Sequence, residues 1–177
     1  VTNVAPTLTV TPTSPTSILE GQTVTWDASF SDPGFDNAAN PNDPVPPLIS
    51  DPLHESFRYY VDWGDGRDQV PDLPVADTDG QPSTGTFDGS HTYADDGTYT
   101  VTVRLADDNM SADFVNGVDG TDFVERTFDV TVENVAPTLT VTPTSPTAIL
   151  EGDTVTFDAA FSDPGFDNAA NPNDPVP

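Results

Sequence analysis

The sequence predicts an all-β protein, a two-sheet sandwich repeated along the chain, and three observations carry that expectation. Apolar and polar residues alternate with a period of two in several segments, the mark of strands with one buried face. Clusters of Gly, Pro, Asp and Asn separate those segments, and none keeps a 3.6-residue apolar period over ten residues. Finally, residues 3–46 recur at 134–177, a constant offset of 134 − 3 = 131.

The strands follow in order. Leu8 and Val10 begin the first, closed by the Pro-rich run Thr11-Pro12-Thr13-Ser14-Pro15. From Val24 to Phe30 the even positions (Val24, Trp26, Ala28, Phe30) are apolar. Tyr59, Val61 and Trp63 form another inward set, with Arg58, Tyr60 and Asp62 on the opposite face. Tyr99, Val101, Val103 and Leu105 make a fourth, and Phe128, Val130 and Val132 a fifth. Two stretches, 37–55 and 71–90, are rich in Pro, Gly, Asp, Asn or Thr and read as long loop insertions. Strands with one buried face, separated by turn clusters, fold as two packed sheets.

Charge limits the partners. The 177 residues include 25 Asp and 5 Glu against 4 Arg and no Lys, for a net charge of -26. Such a surface repels nucleic acid and anionic lipid, and metal cations are its natural counter-charge. The excess of Asp over Glu points to hard-oxygen ligation of Ca²⁺ by turns, against a plainer reading as an acidic, solvated surface. Without cysteine there is no disulfide, thiolate ligand or thiol nucleophile. No run of 18 apolar residues is present, so no membrane insertion is expected.

The two copies differ at four aligned pairs: Ser17/Ala148, Gln22/Asp153, Trp26/Phe157 and Ser29/Ala160. Residues 1–133 read as one complete unit and 134–177 as the beginning of the next. The chain opens at Val1 in mid-pattern and reads as a window on a longer array. Residues 134–177 alone hold too few strands to bury their apolar side chains. The remaining strands are expected from a continuation of the chain or from another copy.

The run Tyr59-Tyr60-Val61-Asp62-Trp63-Gly64-Asp65-Gly66, followed by His91-Thr92-Tyr93 and Gly97-Thr98-Tyr99-Thr100-Val101, resembles the two-part signature of the PKD domain. The resemblance covers residues 3–133, with the two long stretches as insertions. Where the family usually carries tryptophan two residues before the second aromatic, this chain has Val61, leaving Trp63 and Trp26 to supply bulk. The resemblance implies an immunoglobulin-like β-sandwich of extracellular or cell-surface proteins, found in surface layers, adhesins and accessory modules of secreted hydrolases. Asn134-Val135-Ala136-Pro137 looks like the junction between successive repeats, stiffened by Pro137.

Some PKD domains hold Ca²⁺ where the N-terminal junction and two loops meet. By motif those places are Asn3, the turn 31–36 with Asp32 and Asp36, and Asp107-Asp108-Asn109. The next junction would reuse Asn134 and Asp163, so that an ion ties each unit to its neighbour. Gly64-Asp65-Gly66 reads as a tight turn and not as a phosphate or metal loop. His91 and Tyr93 read as structural, because a histidine with no nucleophile or orienting partner makes a poor catalyst. No catalytic residues are assigned.

The expected function is a structural or adhesive repeat of a filament, stalk or cell-surface protein, whose partners are other copies in the same chain or alongside. Glycans at the Thr/Pro/Ser run 11–17 or the sequon Asn109-Met110-Ser111 fit the same setting. The rival is an accessory module binding carbohydrate or protein. It needs a platform of exposed rings, and alternation leaves only Tyr60 facing out.

Overall fold

A computed structural model describes residues 4–34, 56–66, 70–75, 77–78, 82–107 and 123–165. Among the described residues eleven strands run in chain order: β1 (Thr7–Pro12), β2 (Ser17–Leu19), β3 (Thr23–Asp32), β4 (Phe57–Asp62), β5 (Val70–Val75), β6 (Asp77–Thr78), β7 (Ser83–Thr92), β8 (Gly97–Ala106), β9 (Phe123–Glu133), β10 (Thr138–Pro143) and β11 (Phe157–Ser162). One sheet has the order β1-β3-β7-β6 and the other β2-β9-β8-β4-β5, while β10 and β11 pair with each other. The described residues contain no helix. Their fold is an all-β, immunoglobulin-like sandwich.

The chain changes sheets within its first twenty residues. β1 pairs antiparallel with β3, then β2 crosses over and lies parallel to β9. Pro12 and Pro15 flank this crossover, where their missing N–H interrupts no ladder. Ser14 Oγ accepts the Thr25 N–H at 2.9 Å and pins the bend against β3.

The predicted alternation holds in the core. Val24, Trp26, Ala28 and Phe30 of β3 face Val61 and Trp63, with Val101, Val103 and Leu105 of β8 and Val130 and Val132 of β9 in the same cluster. Trp26 and Trp63 meet with ring centroids 6.1 Å apart, supplying the bulk expected of them. Each such buried side chain contributes about 1.5–3 kcal/mol of transfer free energy.

Two expectations fail. The stretch 71–90 is largely strand: β5 pairs with β4, β6 with β7, and β7 runs ten residues beside β3. Its composition hides it, because the inward positions are Ser83, Gly85, Phe87, Gly89 and His91. Small residues stand there because β3 brings its largest rings opposite: Phe30 pairs with Gly85 and Trp26 with Gly89. A Cβ on Gly89 would lie 2.5 Å from Trp26 Cζ2. Tyr60 is the second correction. It lies on the outer face but is only 3% exposed, clustered with Ala106 and Phe123 beneath the Arg104 guanidinium, 5.4 Å from its ring centroid. The other predicted insertion, 37–55, lies outside the described residues.

β10 and β11 reproduce β1 and β3 pair by pair. Thr138↔Ser162 through Pro143↔Phe157 match Thr7↔Ser31 through Pro12↔Trp26 at the 131-residue offset. Local bonds repeat as well. Gln22 Oε1 accepts the Leu19 N–H at 3.0 Å, and its replacement Asp153 accepts the Leu150 N–H through Oδ2 at 3.0 Å. The carboxylate therefore preserves the turn, which explains that substitution. Burial does not repeat: Phe157 and Phe161 are 63% and 79% exposed, against 0% and 4% for Trp26 and Phe30.

Candidate metal centre

The sandwich has a leading end, where the chain comes in, and a trailing end, where it leaves. At the leading end β1 starts beside the close of β3, with Thr7 opposite Ser31 and Asp32 opposite Ser83. β8 ends there too, and Asp107 follows directly. At the trailing end lie the turn Glu20–Gly21, the segment 93–96 and the exit of β9 at Glu133.

Asp32 and Asp107 are both buried, at 2% and 1% exposure. Asp32 Oδ1 accepts the Gly34 N–H at 2.6 Å, and Oδ2 has no hydrogen-bond partner among the described residues. Burial raises the Asp32 carboxyl above its ordinary value of 3.8; the Gly34 bond lowers it, and the charge of Asp107 raises it again. The Ser83 hydroxyl, across the ladder from Asp32, is likewise buried and unpartnered, while the Ser83 N–H donates to the Gly34 carbonyl at 3.3 Å.

An orphaned carboxylate oxygen, a second buried carboxylate and an unused hydroxyl at one end form a donor set of hard oxygens, which fits a cation such as Ca²⁺. Of the predicted ligands, the structure thus brings Asp32 and Asp107 together. Asn3, Asp36 and Asp108 lie outside the described residues. Ser83 was missed by sequence reasoning, since it sat in a segment read as loop; only its register opposite Asp32 reveals it.

Asn134 and Asp163 occupy the equivalent places in the second copy and are exposed. Asp163 Oδ1 accepts the Gly165 N–H at 2.9 Å, the counterpart of the Asp32–Gly34 bond. Their turn sits against the trailing end of the first unit. A Cβ on Gly21 (φ +76) would lie 2.7 Å from the Pro164 carbonyl oxygen, so only glycine permits that approach. Val135 N–H donates to Glu20 Oε1 at 2.8 Å.

The Gly64-Asp65-Gly66 segment is the expected tight turn, with φ of 83° and 77° at its glycines. Asp62 caps it by accepting the Gly64 N–H at 2.9 Å. Asp65 is buried and its Oδ2 lies 2.8 Å from His91 Nε2. His91 therefore has an orienting carboxylate that sequence reasoning had denied it. The imidazole stacks on Trp63, and Tyr93 donates its hydroxyl to the Trp63 carbonyl at 3.0 Å. Burial pushes the Tyr93 phenol well above its usual range and keeps it a donor. These groups tie the turn to the core.

The fold and these two ends define an immunoglobulin-like module with an acidic leading end. Among solved structures, the chain is similar to the PKD domain of an M14-like peptidase from a Thermoplasmatales archaeon. The identity is 22%, the TM-score 0.45, and the match covers 74% of this chain and 98% of that one. It is also similar to the CARDB domain of the PF1109 protein from Pyrococcus furiosus, in complex with di-metal ions. There the identity is 16%, the TM-score 0.38, and the coverage 75% of this chain and 97% of that one. No family model and no curated protein matches the chain.

Proposed function

We propose that this chain is a structural or adhesive repeat of an extracellular, cell-surface filament or stalk, non-catalytic and stiffened by Ca²⁺ at the junctions between units. One observation carries the reading: the second copy seats its Asp163–Gly165 turn on the Glu20–Gly21 corner of the first. The approach there is too close for any side chain on Gly21. A linker serving only as a tether would leave slack; in this reading the linker sets the leading end of one unit against the trailing end of the last. Residues 1–133 are the complete unit in this reading, and other copies, in the same chain or alongside, are its partners.

Calcium enters through the leading end. Asp32 and Asp107 would hold it, with Asn3, Asp36 and Asp108 from the neighbouring segments, and the ion would screen two buried carboxylates. Asn134 and Asp163 would begin the same site in the next unit. The rival reading as a carbohydrate-binding accessory module loses Tyr60, the one ring that alternation had left for its platform, because Tyr60 is buried. Melting the chain with and without Ca²⁺ tests the metal. A rise in Tm that Asp32→Asn abolishes is expected, and an unchanged Tm across millimolar Ca²⁺ would remove the ion from the account. Small-angle scattering tests the array: a fixed, end-to-end seating of the two copies is expected in solution, and a broadly variable arrangement would refute it.

A further inference from the structure

We propose that Glu20, Asp95 and Asp96 form a second divalent-cation site, closed by the Asp163 turn of the following copy. The inference rests on the end-to-end reading above but uses the opposite end of the sandwich from Asp32 and Asp107. Carboxylate oxygens of Glu20, Asp95 and Asp96 all lie within 4.8 Å of one another. No Arg or His among the described residues pairs with any of them.

Glu20 supplies the independent observation. Its side chain is held in a buried corner, at 5% exposure, where Oε1 takes the Val135 N–H while Oε2 accepts no hydrogen bond from a described residue. That free oxygen is aimed at the second copy. It lies 3.2 Å from the point where Gly165 would carry a Cβ, with the Ala94 carbonyl oxygen 3.2 Å and Asp163 Oδ1 3.1 Å from the same point. Oxygens from three segments of chain thus converge where glycine leaves room.

The chemistry follows from charge and donor type. Carboxylates this close repel one another unless protonated or bridged by a cation. Mixed carboxylate and carbonyl oxygens in an irregular shell suit Ca²⁺ better than Mg²⁺, which demands near-octahedral geometry and keeps its waters. One side of the site belongs to the unit that ends and the other to the unit that begins. The ion would therefore bind only when the two are seated. Glu151 and Gly152 repeat Glu20 and Gly21 in the second copy, so each further junction would carry the same corner.

The test is calcium titration of the full chain, followed by calorimetry and by the amide resonances of Val135 and Gly165. Two classes of site are expected, with Ca²⁺ shifting both amides. Glu20→Gln should remove one class and those shifts, and so should Asp96→Asn, whose exposed carboxylate can be altered without touching the core. Asp32→Asn should remove the other class and leave the Val135 and Gly165 shifts in place. If those amides ignore Ca²⁺, or respond equally in Glu20→Gln and Asp96→Asn, the second site does not exist. Loss of the array reading would show separately, as a scattering profile without seated copies.

Discussion

Gly89→Ala is the sharpest test of how β7 packs. The added Cβ would lie 2.5, 2.6 and 2.9 Å from Trp26 Cζ2, Cε2 and Nε1. Carbon atoms rest in contact at roughly 3.5–4.0 Å, so the indole or the strand must retreat by about 1 Å. The indole is fully buried and boxed in by Trp63 and by Phe87, whose ring meets it edge-on at 5.8 Å. Overpacking of this kind costs about 1–3 kcal/mol. Alanine also restricts the unfolded chain, a gain of about 0.4–1 kcal/mol, which the clash exceeds. The net loss should lower Tm by several degrees, at roughly 2–4 °C per kcal/mol for a domain of this size. Trp26→Phe offers the control, since phenylalanine stands at the equivalent Phe157. In that background Gly89→Ala should cost clearly less, a coupling thermal denaturation of the four proteins would measure. A Gly89→Ala protein melting at or above the parent would refute the packing.

Two further outcomes follow from the leading end and the core. Burial and Asp107 hold the Asp32 carboxyl above 3.8, so folding favours its protonated form and the calcium-free protein gains stability from this group on acidification. That gain is fully present below 3.8 and lost as pH rises through the raised value. Calcium-free Asp32→Asn should therefore outmelt the parent near neutral pH and converge with it near pH ~4; with Ca²⁺ present the order at neutral pH should reverse. Tyr93→Phe deletes the bond to the Trp63 carbonyl and should cost about 0.5–1.5 kcal/mol in urea unfolding.

Most of the sandwich was legible because one face of β3 and of β8 carries large apolar side chains. Val24 to Phe30 and Tyr99 to Leu105 state their own periodicity. β7 was illegible for the complementary reason: Gly85 and Gly89 on its inward face are small so that Phe30 and Trp26 can be large, and that pattern makes sense only once the two strands are paired. Tyr60 was placed on the correct face but judged exposed, since alternation reports direction and says nothing of a neighbour such as Phe123 folding over it. At the candidate site, Asp32 and Asp107 were singled out through the motif. Ser83, the His91–Asp65 pair and the Glu20 corner were not, because each joins residues far apart in sequence.

The central claim is that the leading end of the sandwich is built to hold a cation. The most direct measurement is a crystal structure grown in Ca²⁺, with anomalous difference density calculated around Asp32. The account predicts a peak about 2.3–2.6 Å from Asp32 Oδ2, sharing its shell with Asp107. A water at hydrogen-bond distance from Oδ2, with no anomalous signal at saturating Ca²⁺, would contradict it.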